Sequence, residues 1–241
     1  MAESRTVPES LGARFTNIKT RINEALKRSH RSSDDLTLIA ISKTHPASVI
    51  REVIKLGATD LGENRVQEAE TKIPEVGRDK ARWHLVGHLQ ANKARRAVKL
   101  FDVIHSLDSV ELVQRLDRLC KEEGTEQLSV LLQVDLGMEE TKSGVREEGL
   151  FELAQEVKRC DHLKLAGLMT LPPFFDDPED ARPFFRTLAQ LRDELGKQGL
   201  FETVRGELSM GMTHDFEVAI EEGATMVRIG TAIFGERVRQ V

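Results

Sequence analysis

The chain has 241 residues, a formal charge of −5 and 31% charged residues, with both signs mixed along its length. That length suits one large domain or two small ones and buries enough surface to need no disulfide or metal staple. The balanced charge excludes the basic face of a nucleic-acid module, and no run approaches the roughly 18 apolar residues of a membrane span.

The opening ten residues, MAESRTVPES, lack the apolar core of a signal peptide, so a cytoplasmic location is expected. Residues 11–28 have helical periodicity. Short apolar runs then alternate with amphipathic stretches. The runs are LTLIAI (36–41), a weak ATDLG (58–62), WHLVG (83–87), FDVIHS (101–106), LSVLLQVD (128–135), LKLAGLM (163–169), ELSMG (207–211) and TMVRIG (225–230). Between them, 110–119, 183–195 and 214–222 carry apolar residues at spacings of three and four, the pattern of a helix with one buried face. LTLIAI and LSVLLQV are almost continuously apolar, as strands covered on both faces are.

Eight such β–α units predict a closed (β/α)8 barrel, with residues 1–34 as an N-terminal helical segment and 35–237 as the barrel of a single domain. A doubly wound open sheet is the alternative, but its Gly-rich first turn is missing from Ser42-Lys43-Thr44-His45-Pro46. The basic run Lys93-Ala94-Arg95-Arg96 reads as a solvated helix face. Cys120 and Cys160 read as reduced thiols in helices. The Pro172 to Asp180 segment reads as a connecting loop, or a lid over the barrel mouth, with Pro178 near the start of the next helix.

In such a barrel the reactive groups lie at the C-terminal ends of the strands, and a phosphate site commonly forms after strands seven and eight. Lys43 ends the first strand and shares a face with Ile39 and Ile41. An amine desolvated there has a lowered pKa and becomes nucleophilic. Lys142 is a rival amine, but its loop, 139–144, is polar. Gly211 and Gly230 allow close backbone approach to an anion, and Ser209, Thr213 and Thr231 add hydroxyls. Together these features suggest an amine facing the aldehyde of a phosphorylated cofactor, pyridoxal phosphate (PLP).

Arg228 is either a partner of that cofactor, at its phosphate or its pyridine nitrogen, or a structural salt bridge. Asn64 either hydrogen-bonds a cofactor oxygen or caps a helix. His84 and His88 have the i, i+4 spacing of a metal pair, but in an extended strand they stand about 13 Å apart. No third ligand is evident, and no metal site is expected. The chain contains no tyrosine, so no phenol can serve as acid, base or clamp.

The segments AISKTHP (40–46), LGENRVQE (61–68), WHLVGHLQANK (83–93), GLMTLPP (167–173) and the block 208–237 resemble the pyridoxal phosphate homeostasis protein family. These are single-domain relatives of the alanine racemase barrel. The resemblance runs from about Leu11 to Arg237. It implies PLP held as a Schiff base on Lys43, phosphate contacts from Ser209 and the Gly230-Thr231 turn, Asn64 and Met210 lining the site, and Arg228 near the cofactor. Thr213 stands where the family has serine, and the hydroxyl is kept. The implied role is control of free vitamin B6 and amino-acid pools without robust catalysis. PLP-dependent apo-enzymes are possible acceptors, and the expected state is a monomer.

Two other readings stay open at this point. One is a PLP-dependent racemase of the alanine racemase type, whose second base is a tyrosine that this chain lacks. The other is a barrel enzyme whose Lys43 forms a Schiff base with a sugar phosphate. A yellow protein as purified separates the PLP readings from this last one.

Overall fold

The structure is a computed structural model and describes residues 9–137, 143–203 and 205–235. Leu11–Arg28 form α1, capped by Ser10, whose hydroxyl accepts the Ala13 amide at 3.2 Å. Strands and helices then alternate. β1 (Thr37–Ile41) leads to α2 (Ala47–Lys55), β2 (Asp60–Glu63) to α3 (Val66–Val76), and β3 (Arg82–Leu85) to α4 (Ala94–Leu100). β4 (Val103–Leu107) precedes α5 (Val110–Glu123), β5 (Leu128–Val134) precedes α6 (Glu147–Arg159), and β6 (Leu163–Thr170) precedes α7 (Arg182–Lys197). β7 (Glu207–Ser209), α8 (Phe216–Glu221), β8 (Met226–Ile229) and α9 (Thr231–Phe234) complete the order.

The strands pair in parallel in sequence order, and β8 returns to β1 to close the barrel. Each of the eight apolar runs contributes one strand, as expected from the sequence. Closure gives two distinct apolar cores, because successive side chains point to opposite faces of a strand. Ala40, Leu61, Trp83, Ile104, Leu132, Leu208 and Val227 face outward into the helices. Ile39, Ile41, Val86, Val103, Leu131, Met169 and Met226 face inward. Burial on both sides explains the near-continuous apolar runs.

α1 is the addition to the eightfold plan. Its buried stripe of Leu11, Phe15, Ile18, Ile22, Ala25 and Leu26 repeats at three and four. The helix packs beside α8 and α9: Arg21 makes two hydrogen bonds of 2.9 Å to the Glu217 carboxylate, and Arg14 Nε donates to the Ile233 carbonyl at 2.8 Å. Arg95 and Arg96 are exposed on α4 and pair with Glu122, Glu123 and Glu70. Pro178 opens a short 3-10 turn capped by Asp177. No helix among the described residues is long and apolar enough to cross a membrane.

Candidate functional site

The C-terminal ends of the strands open on a cavity of about 560 Å³, within the range of small-ligand sites. Lys43, Asn64, Arg228, Gly230 and Thr231 all line it, so closure brings together residues spread over most of the chain. Among the described residues lining the cavity, Lys43 and Arg228 carry cationic side chains, and none is Asp or Glu. That donor set fits an anionic ligand.

Lys43 is half-buried and stands two residues beyond the inward-facing Ile41, which ends β1. Its segment is fixed from beneath by a buried polar cluster. Ser42 Oγ donates to Glu63 Oε1 at 2.6 Å. Lys72 Nζ donates to Ser42 O at 2.8 Å, Glu63 Oε1 at 2.8 Å and Glu68 Oε1 at 2.7 Å, which uses all three of its protons. The Glu68 carboxylate also accepts the Thr44 amide. Thr44 has φ +68°, a costly conformation for a β-branched residue, so the turn that carries Lys43 stays in place because its surroundings hold it. His45 stacks on Phe234 of α9, with centroids 4.8 Å apart, and pins the turn from its other side.

Burial pushes the Glu63 carboxyl up, and Lys72 and Ser42 oppose the rise. Glu63 Oε2 has no hydrogen-bond partner among the described residues. Lys72→Met therefore strands a buried carboxylate and is expected to destabilise the fold by about 3–5 kcal/mol. Adding Glu63→Gln should recover part of that loss in a urea titration. Equal midpoints for Lys72→Met and the unmodified chain would contradict this role for the cluster.

Asn64 is not a helix cap. Arg65 holds the cap position of α3, and Asn64 lines the cavity. Gly87 lets the chain after β3 pass close to it, because a Cβ at Gly87 would fall 2.2 Å from the Asn64 carbonyl oxygen.

Arg228 is 4% exposed. Its Nη1 donates to Ser209 Oγ at 2.7 Å and its Nη2 to the Thr170 carbonyl at 2.9 Å. Burial pushes its pKa down to about 10, with Asp215 opposing, so the guanidinium stays charged near neutrality. Among the described residues it makes no direct ion pair.

Two of the expected contacts differ. Ser209 and Met210 do not line the cavity. The Ser209 hydroxyl is buried between His105 and Arg228, and Met210 packs in the outer core with its amide bonded to Met226 O at 3.1 Å. The segment after β7 instead presents Met212, Thr213 and His214. Gly211 also plays another part. At φ +91° its missing Cβ makes room for α8, since a Cβ would lie 2.6 Å from that of Ala219. Gly230 does sit on the cavity wall, and a Cβ there would meet Ile41 at 3.4 Å. The loop after β6 contributes Leu171 and Phe174, the latter 78% exposed at the rim. Lys142 lies outside the described residues.

Sequence reading missed an interior polar chain. Asp60 Oδ1 meets His84 Nε2 at 2.9 Å, His84 Nδ1 meets His105 Nε2 at 2.9 Å, and His105 Nδ1 meets Ser209 Oγ at 2.9 Å. His88, the other half of the apparent metal pair, stands at the mouth beside Asp108 at 3.6 Å. Strand alternation offered a signal: His84 shares a face with Val86, and His105 with Val103, both of them inward.

Burial pushes both imidazoles down, His105 well below its usual value, and Asp60 opposes the shift at His84. Burial alone would raise the Asp60 carboxyl, but hydrogen bonds from His84 and Thr59 together with the nearby charges of His84 and Arg82 outweigh it and hold the group low. In the unfolded chain these two imidazoles take up protons near pH 6.5, whereas in the folded chain they do so only at lower pH. The stability these two groups contribute is therefore present above about pH 6.5 and falls as the pH drops below it, by at most on the order of 1 kcal/mol per pH unit for each, until that imidazole also protonates in the folded chain. Urea midpoints measured from pH 7 to pH 5 should show this slope, and it should flatten when both histidines are replaced by Gln. A flat profile for the unmodified chain would contradict the neutral assignment.

Comparison with known proteins gives the following. The alanine racemase N-terminal domain family matches residues 16–238. A pyridoxal phosphate homeostasis protein of Aquifex aeolicus is 44% identical over 224 residues, 93% of this chain and 97% of that one. One from Escherichia coli is 39% identical over 226 residues, 92% of this chain and 95% of the other. PipY of Synechococcus elongatus, solved with PLP bound, aligns with a TM-score of 0.81 at 35% identity, covering 94% of this chain and 100% of that one.

Proposed function

The chain belongs to the pyridoxal phosphate homeostasis protein family, and from that membership we propose that it binds PLP in the barrel-mouth cavity and serves vitamin B6 and amino-acid homeostasis. The observation that carries this reading is the cavity itself: a lysine at the end of β1 and a buried arginine share it with the Gly230-Thr231 turn, with no lining carboxylate among the described residues. PLP supplies an aldehyde that condenses with a neutral amine and a phosphate that anchors it.

Lys43 is the amine we assign to the Schiff base. The Gly230-Thr231 turn and the Thr213 hydroxyl suit the phosphate, because both stand on the rim formed after strands seven and eight. Asn64 offers an amide to the ring substituents. We place Arg228 at the ring nitrogen. It is buried on the inner face of β8, whereas the turn at the strand's end is what reaches the mouth. Ser209 and Met210 then act on the site from behind, Ser209 through Arg228.

We also propose that the protein holds and releases the cofactor, with PLP-dependent apo-enzymes as acceptors, and has no robust catalysis of its own. A guanidinium at the ring nitrogen disfavours the protonated pyridine that makes a strong electron sink. The chain has no tyrosine to act as a second base. The test is a pair of assays on one preparation. Titration with PLP should give saturable binding with a visible spectral change, and alanine racemisation should stay near that of a Lys43→Ala control. Absence of PLP binding would overturn the first claim, and racemisation far above the control would overturn the second.

A further inference from the structure

Arg228 can only donate hydrogen bonds, and the Asp60 carboxylate can only accept them. Between these two ends lie three groups that can each do either: Ser209, His105 and His84. With both imidazoles neutral, as burial favours, the Asp60 end dictates the direction of every link. Asp60 requires a proton on His84 Nε2. A neutral imidazole carries only one N–H, so His84 Nδ1 must accept, and His105 Nε2 must donate to it. His105 Nδ1 then accepts the Ser209 hydroxyl proton, and Ser209 Oγ accepts from Arg228 Nη1. The four links measure 2.9, 2.9, 2.9 and 2.7 Å, and each donor meets one acceptor. His84, His105 and Ser209 are fully buried.

We propose that His84, His105 and Ser209 form a directed hydrogen-bond relay that positions the Arg228 guanidinium in the cavity, with Asp60 as its fixed terminal acceptor. The relay crosses the barrel interior from β8 to β2, and Asp60 is the first residue of β2, at the end opposite the mouth. There Asp60 lines a separate cavity of about 230 Å³ between α1 and the barrel. Reversing any one link would set two donors or two acceptors against each other. Such a buried mismatch costs more than the bond contributes, so the chain behaves as a unit. The consequence for the site is a guanidinium with one settled orientation and its remaining N–H groups directed by that orientation. These are positioning residues, because none of the three lines the cavity. The part of the proposal that concerns cofactor retention rests on the PLP reading above. The part that concerns the relay does not.

Two measurements test it. The first is nitrogen-15 NMR of the histidine side chains in the full chain without added PLP. Both rings should be neutral, with the proton on Nε2, and both should shift when Arg228→Gln is introduced at the far end. A proton on Nδ1 of either ring, a charged ring at pH 7, or no response to Arg228→Gln would overturn the relay whether or not the protein binds PLP. The second is a double-mutant cycle on the PLP dissociation constant. Ser209→Ala alone should weaken binding about tenfold, yet add little in an Arg228→Gln background, because both changes act on one unit. His105→Gln keeps an adjacent donor and acceptor and should retain most of the affinity, whereas His105→Phe should not. Multiplicative effects of Ser209→Ala and Arg228→Gln, or a His105→Phe protein that melts lower but binds PLP unchanged, would reduce these residues to packing and overturn the positioning role. If the unmodified chain fails to bind PLP, the proposed function falls and the NMR result alone judges the relay.

Discussion

Lys43→Ala is expected to give a protein that folds normally, binds PLP weakly and releases it on dialysis. The substitution removes the amine and leaves the Gly230-Thr231 turn, Asn64 and Arg228 in place. Anchoring by the phosphate should survive, while the visible band of the lysine-bound cofactor should vanish. The buried cluster that shapes this turn uses the Ser42 carbonyl, the Thr44 amide and the side chains of Ser42, Glu63, Glu68 and Lys72, none of which is altered. The loss should therefore be one of covalent retention and not of fold. Affinity should fall by at least about tenfold, or about 1.4 kcal/mol. Equilibrium dialysis with a urea titration alongside it separates the two effects. Full retention of a borohydride-fixed cofactor in Lys43→Ala would show that another amine carries it.

Arg228→Gln should have the second-largest effect. The guanidinium is buried, charged and held by Ser209 and Thr170. A hydrogen bond to a charged group is worth about 1.5–3 kcal/mol, so its loss should weaken PLP binding roughly tenfold to more than a hundredfold. Glutamine is shorter and neutral, and it cannot span both partners at once. Some destabilisation should accompany the loss, because Ser209 Oγ and the Thr170 carbonyl lose a donor in a buried setting. An unchanged dissociation constant in a folded Arg228→Gln protein would rule out a part for that side chain in holding the cofactor.

The architecture was legible because a barrel strand is covered on both faces. That burial writes near-continuous apolar runs into β1 and β5, and helical spacing of apolar residues marked α1 and α5 between their turns. That Lys43, Asn64, Arg228, Gly230 and Thr231 lie together at the barrel mouth could be read because each is on or near the C-terminal end of a strand. Ser209 and Met210 share that position in sequence, but β7 is only three residues long and the pleat decides their fates. Ser209 turns inward to Arg228, and Met210 turns outward into the helix layer.

The interior relay was not legible because barrel closure makes it. Asp60, His84 and His105 come from adjacent strands, but Ser209 and Arg228 reach them only across the closed interior. Strand geometry already separated His88 from His84, but it named no partner for either. The pleat places His84 inside the barrel, and the chain past the end of β3 carries His88 to the mouth. Glycine roles were mixed in the same way. Gly230 borders the cavity, whereas Gly211 is demanded by a left-handed turn packed on α8.

The most direct measurement is borohydride reduction of the purified, PLP-loaded protein followed by peptide mass mapping. A single modified peptide bearing the reduced cofactor on Lys43 is the expected result. Modification at a different lysine, Lys142 included, or no covalent product at all, would contradict the assignment of this amine.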